Sequence, residues 1–473
     1  MIYRREDVRQ LGFSCAQDEV SEEALVLTID GFVESLDLSE LSGRYSEAGT
    51  GYYDPGMLLK VWFFAYCDRS WHCRQVAERV RYDVRYRYFV GTHRPDFRTL
   101  NRFRKDHLDL LGGYFAALVS HCEQLGLIDS SIVALDGTKL RANASGRKRS
   151  PSSLRQEINR RLAHDVQADD PAEGEAGAAS AAPTDAPAAG VSATDPQARL
   201  MKTAEGTIRL CYNAQAVVDN HQMIVAADVG TDADDKSSFA PLLAQAQDNV
   251  RSALGAITAD GGYYSGRNIK YAQERKLDIY LPKGKANHKV YGLESFVYDS
   301  ANDRYRCPQG LWLPRGAQRQ RRGLLTTSYQ SSRNQCRDCP LKTNCTHDRY
   351  RRLEVPETWI SERALAAKLA TPDGRALYAR RRELVEPVFG HLKFNLGFIR
   401  FSLRGLAQVR GEFFLLCIAH NLKKLARRNS RPSRLSALYV LIELLTVGLN
   451  RYLVAFRALG SLTSKNARAA TAS

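Results

Sequence analysis

Two short apolar runs that each stop at Asp-Gly constrain this chain most. Ser131-Ile132-Val133-Ala134-Leu135 leads into Asp136-Gly137, and Ala256-Ile257-Thr258-Ala259 leads into Asp260-Gly261-Gly262. An unbroken aliphatic run of this length, closed by turn residues, reads as a buried strand. Between the two, Leu210 to Val218 and Met223 to Val229 flank the polar turn Asp219-Asn220-His221, which predicts an antiparallel hairpin. Helices are expected over Phe239 to Val250 and Ser265 to Arg275, and a further strand over Leu277 to Leu281. Strands mixed with flanking helices in this order predict an α/β layer fold.

Each aspartate stands at the expected C-terminal end of its strand, and the glycine after it lets a phosphate come close. Alone, either one is more commonly a turn residue. A third acid comes from a helix expected to start near Gly374 or Ala376. At about 100° per residue it places Tyr378, Arg382, Glu386 and Lys393 within an arc of roughly 80°. The apolar spacing Leu384, Val388, Leu392 continues through Pro387, so a bend is expected there rather than a stop. A salt-bridged surface helix is the plainer reading of the same residues. Asp136, Asp260 and Glu386 on separate elements of one layer are the oxygen donors that a pair of Mg2+ (or Mn2+) ions requires for phosphoryl chemistry.

The formal net charge of +16 and pI near 9.4 point to a polyanionic partner, nucleic acid before membrane. Between Arg74 and Lys105 there are ten Lys/Arg against three Asp/Glu, with Tyr82, Tyr86 and Tyr88 interleaved. Short helices here, the second capped by Ser70, suit a helix-turn-helix-like reader of double-stranded DNA, with Arg98, Arg102 and Arg104 reaching for it. A solvated basic face on a helical bundle is the alternative. Met1 to Asp7 has charge but no apolar run behind it, so no signal peptide is visible and a cytoplasmic, nucleoid-associated location is expected. The apolar run Ala437 to Phe456 contains Glu443, Asn450 and Arg451, which makes it an ordinary buried helix rather than a membrane span.

At 473 residues the chain exceeds one core. The expected division is a helical DNA-binding part over 1–125, a catalytic part over 126–283 and 356–400, an insertion over 284–355, and C-terminal helices over 401–473. Residues 163–205, rich in Ala, Pro, Gly and acids, read as a flexible acidic linker. The insertion holds Cys307, Cys336, Cys339 and Cys345, four thiols in a spacing that suits a structural zinc ion, with His347 as an alternative fourth ligand. Buried free cysteines are the competing reading.

Taken together, Asp136-Gly137-Thr138-Lys139, Tyr212-Asn213-Ala214-Gln215, Asp260-Gly261-Gly262-Tyr263, the cysteine-bearing insertion and the Glu386 helix resemble the DDE transposases of bacterial insertion sequences. The subgroup resembled carries a Tyr, Arg, Glu, Lys signature around its third acid. Arg382 and Lys393 fit that signature around Glu386, whereas Tyr378 departs by one residue, and Arg381 restores the tyrosine gap only by breaking the next. The resemblance implies a ribonuclease H-like catalytic domain, with Asp136, Asp260 and Glu386 as the acids. It implies cleavage at the element's ends, transfer of the 3′ ends to target DNA, and a homodimer in the synaptic complex. A catalytically silent zinc-containing DNA-binding regulator and a metal-dependent structure-specific nuclease are the rival readings.

Overall fold

The computed structural model describes residues 20, 24–45, 52–144, 192, 194–203, 205–284, 291–321 and 323–429. The expected helix over Ala437 to Phe456 lies outside these.

The N-terminal part is helical: α1 (Ala24–Glu34), α2 (Ser39–Gly43), α3 (Pro55–Cys67), α4 (Cys73–Tyr82), α5 (Val84–Val90), α6 (Phe97–Asp106) and α7 (Leu111–Gln124). Asp54 caps α3 by accepting from Met57 N at 2.6 Å, and Pro55 fits the first turn because its missing N–H would be unpaired there anyway. Asp96 caps α6 in the same way through Thr99 N. Ser70 does not cap α4: that helix starts after His72, and the Ser70 hydroxyl turns back to Asp68.

The central sheet has six strands: β1 (Ile132–Arg141), β2 (Arg199–Lys202), β3 (Ile208–Val218), β4 (Ile224–Gly230), β5 (Ala256–Ala259) and β6 (Asp278–Tyr280). β3 runs antiparallel to β1 on one side and to β2 and β4 on the other, while β5 and β6 continue the sheet parallel to β1. Two expectations change here. β1 does not end at Asp136; β3 accompanies it to Arg141, although its pairing with β5 stops at Leu135. β2 lies inside the segment read as linker, where Leu200 and Met201, flanked by Arg199 and Lys202, find an antiparallel partner in β3.

Helices α8 (Phe239–Asn249) and α9 (Gly266–Glu274) follow β4 and β5 as expected. The insertion is a second sheet of five antiparallel strands, β7 (Val297–Asp299), β8 (Arg304–Arg306), β9 (Trp312–Arg321), β10 (Leu324–Gln330) and β11 (Arg352–Pro356). It holds its own small core around Tyr305, Leu313, Tyr329 and Leu353, and the short helices α10 (Arg333–Arg337) and α11 (Lys342–Cys345) link its last strands. Then come α12 (Trp359–Ala370), α13 (Pro372–Gly390), a π-turn over His391–Asn395, and α14 (Leu406–Asn429).

α13 packs on β1, β5 and β6, and α14 packs on β4 and on α1, α3 and α7. α14 therefore joins the helical part and the sheet into one hydrophobic core, running from Val26 through Phe63 and Val217 to Leu422. α13 continues through Pro387, as its apolar spacing requires. Proline leaves the carbonyl of Glu383 without its helical donor, and Gln222 Nε2 supplies one at 3.0 Å.

Candidate active site

Where β5 ends, β1 loses its neighbour on that side, and Ile399 to Phe401 rejoin it only at Arg141. Asp136 and Asp260 stand at this gap, at the carboxyl end of the parallel strands, where α/β sheets place their ligand crevices. Asp136 Oδ1 accepts from Gly137 N at 2.8 Å, and its Oδ2 accepts from Arg381 Nη1 at 2.8 Å. Burial raises the Asp136 carboxyl pKa above the usual range, with Asp260 adding to the rise, while Arg381 and Gly137 N oppose it. Asp260 caps the turn after β5, accepting from Gly262 N at 2.9 Å. A side chain in place of Gly262 would put its Cβ 3.0 Å from both Asp260 Oδ1 and Asp235 Oδ2, so these oxygens are at most twice that distance apart.

The sequence expectation missed Asp235. Its Oδ1 accepts from Asn213 Nδ2 at 2.7 Å, from Lys139 Nζ at 3.1 Å and from Gln215 Nε2. The buried Tyr263 hydroxyl donates to Gln215 Oε1 in turn. Each of these partners lies within a motif noted in the sequence, but only the strand register shows that they converge: Lys139 is opposite Asn213 and Gly137 opposite Gln215. The network ties the turn holding Asp260 to β1 and β3.

α13 brings a different set of residues to the acids than its spacing predicts. Leu384, Val385, Val388 and Phe389 are buried against the sheet. Arg381, one turn before Val385, therefore points at Asp136, with Tyr378 6.0 Å from its guanidinium. Arg382 and Glu386 fall about 100° further round the helix. They lie on the outer face, 76% and 64% exposed, 3.9 Å apart and paired with each other. Of the expected set, Asp136 and Asp260 stand side by side on adjacent strands, whereas Glu386 faces solvent in this structure. Among the described residues no three carboxylate, imidazole or thiol groups are grouped so as to hold a metal ion. Lys393, within the π-turn, is half-buried; burial lowers its pKa, while Glu205 and Asp136 pull the other way.

The basic helices divide in the same manner. Arg98 and Arg102 are exposed on α6. Arg104 is not, since it shares a face with Leu100 and Phe103 and is 6% exposed. It donates to Trp71 O at 2.9 Å and Tyr66 Oη at 3.2 Å and lies 4.4 Å over the Trp62 ring. Arg104 is thus held in the core by protein partners, unlike the exposed Arg98 and Arg102 read with it as DNA contacts.

The four insertion cysteines are free thiols. Burial raises the Cys345 pKa, and the charges of Cys336, Cys307 and Cys339 reach it. Yet Cys336 Sγ is engaged by Ser331 Oγ at 2.9 Å, and Cys307 Sγ accepts from Leu311 N at 3.3 Å. The zinc ion expected from their spacing has no support among the described residues, where no three such groups are placed to hold a metal.

Comparison with known proteins is consistent at both ends of the chain. A family described as "Transposase domain (DUF772)" matches residues 14–106. A family described as "Transposase DDE domain" matches residues 306–426, which include α13 and α14 but neither aspartate. No curated protein matches the chain. Among solved structures, the Mos1 transposase paired-end complex with left transposon end is similar at 10% identity over 55% of this chain and 76% of that one. Its TM-score of 0.16 is too low to support a conclusion. Transposase family models thus match the helical part and the region from the insertion into α14, and they support a DDE transposase of an insertion sequence.

Proposed function

We propose that this protein binds the ends of its insertion sequence, cleaves there by metal-dependent phosphodiester hydrolysis, and joins the freed 3′ ends to target DNA. The observation that carries the reading is the meeting of Asp136 and Asp260 at the open end of the parallel strands, on a chain with two transposase matches. The strand order, an antiparallel set of β1 with β3 and β4 followed by parallel β5 and β6, supports a ribonuclease H-like catalytic layer.

The donors suit a hard divalent cation. Both groups are carboxylates, and each uses one oxygen on a backbone N–H. Buried Asp136 lacks enough positive charge around it to keep its pKa at the usual value. Asp136 and Asp260 would hold Mg2+, and Glu386 is assigned as the third acid from the Arg382, Glu386, Lys393 spacing. The metal pair supplies a lowered pKa for the attacking water or 3′-hydroxyl and charge for the leaving oxygen. Lys393 contributes a point charge beside the scissile phosphate, and Asp235 steadies the Asp260 turn through Gln215 and Tyr263.

A groove between α4, α6 and the segment after β1 supports a duplex path. Arg74, Arg104, Lys105, Asn143 and Arg404 line it, and no carboxylate does. Two such protomers would pair two ends in the synapse.

The test is a duplex bearing the element's end, incubated with the protein and MgCl2. Metal-dependent nicking to a 3′-hydroxyl, lost in Asp136→Asn with end binding retained, is the expected result. Cleavage that survives in Asp136→Asn refutes the assignment of the acid. Wild-type binding without cleavage indicates the silent regulator, and cleavage of pre-cut ends without joining to plasmid indicates a nuclease.

A further inference from the structure

Arg381 has no part in the reading above, yet it makes the closest contact with an acid of the site. Its Nη1 lies 2.8 Å from Asp136 Oδ2, and the pair is only 12% and 21% exposed. We propose that the Arg381 guanidinium is a resident counter-cation of the aspartate pair, seated where a divalent ion must bind and displaced from Asp136 when that ion enters.

The argument starts from how lightly this arginine is held. Other buried arginines of the chain are fixed by several partners. Arg351 donates to the carbonyls of Cys345 and Tyr291 at 2.9 and 2.8 Å, and Arg104 has two bonds and a stacked ring. Arg381 has one hydrogen bond, to Asp136; its buried Nε has no partner, as is also true of Arg351 and Arg104, so the difference lies in the number of bonds made by the terminal nitrogens. Its other neighbour is the Tyr378 ring at 6.0 Å. A guanidinium with five donors and one bond is retained by charge rather than by a fitted socket.

Asp136 Oδ2 is also the only oxygen of that carboxylate free of the backbone, because Oδ1 is held by Gly137 N. A metal ion approaching Asp136 therefore meets the same oxygen and a like charge. The two cations exclude each other, so metal loading releases the guanidinium on its flexible stem. Without a metal, the pair spares Asp136 from standing as an uncompensated buried carboxylate. The neighbouring Arg382 pairs with Glu386 on the outer face and does not contact either aspartate.

This inference rests on the metal centre proposed above, and the experiment separates the two. Mn2+ is titrated into the full-length protein without DNA, and free Mn2+ is read by electron paramagnetic resonance. Arg381→Met keeps the aliphatic stem and removes the competitor, so it binds Mn2+ roughly tenfold more tightly than wild type, the scale of one charge-assisted hydrogen bond. Arg381→Lys, which keeps the charge, stays nearer to wild type. Equal or weaker binding by Arg381→Met overturns the proposal. Wild-type and Asp136→Asn proteins that bind Mn2+ alike overturn the metal reading itself, and this inference with it. Should Arg381→Met not fold, wild type carries the test alone. Phenylglyoxal modification of Arg381, followed by mass spectrometry, becomes several-fold faster when Mn2+ is added, and an unchanged rate overturns the proposal.

Discussion

Replacing Arg104 by methionine separates a structural arginine from the DNA-facing ones around it. The side chain makes two hydrogen bonds, to Trp71 O and Tyr66 Oη, and stacks on Trp62. Tyr66 passes the contact on by donating to Glu412 Oε1 at 3.1 Å. Glu412 is fully buried on α14 and also accepts from Ser402 and Leu403 N–H groups. Arg104 and Glu412 are thus opposite charges bridged by one hydroxyl, between α6 and α14. Methionine fills much of the volume but leaves the Glu412 carboxylate without its cation. Breaking a buried pair on one side costs about 3–5 kcal/mol, far above the ~0.5 kcal/mol of an ordinary surface change. Urea unfolding followed by tryptophan fluorescence reads the change, since Trp62 and Trp71 both touch the guanidinium. Adding Glu412→Gln to Arg104→Met recovers part of the loss, because no buried charge then stands alone. A loss below about 1 kcal/mol in Arg104→Met would refute the reasoning.

The exposed Arg98 and Arg102 behave in the opposite way: changing either to alanine leaves stability within about 0.5 kcal/mol and lowers the salt slope of end binding by about one. An unchanged slope removes them from the DNA path. His391 and His420 set an acid limit on stability. His420 Nε2–H donates to Gln222 O and its Nδ1 accepts from His391, both at 2.9 Å, and burial pushes their pKa values down to about 3 for His420 and about 4 for His391. Both values lie below the unfolded value of 6.5, so the folded state binds fewer protons. The stability they support is complete above pH 6.5 and is lost as pH falls through about 4, a change on the order of 2–3 kcal/mol. His420→Gln flattens that part of the pH profile; a wild-type stability unchanged between pH 7 and 4.5 contradicts it.

Elements set by local chemistry were legible in the sequence. The hairpin around Asp219 and α13 running through Pro387 follow from turn residues and apolar spacing within a few residues, whereas the cap read at Ser70 is not made. What was not legible depended on distant partners. β1 continues past Asp136 because β3, some seventy residues later, pairs with it to Arg141. β2 is a strand only because β3 offers an edge to a segment whose composition suggests a linker. The orientation of α13 was missed by one position. Arg381 and Arg382 satisfy the signature about equally well on paper, and the burial of Val385 and Val388 decides which of them meets Asp136. The same holds for Arg104, whose charge density suggested DNA and whose place beside Phe103 puts it in the core.

The claim on which the account depends is that Glu386 joins Asp136 and Asp260 around a metal when end DNA is bound. Iron(II) substituted for magnesium in the protein–DNA complex, with ascorbate and peroxide, cuts the backbone next to the ion. The account predicts cuts near residues 136, 260 and 386 in the presence of end DNA. Cuts at the two aspartate segments that leave α13 intact would contradict it.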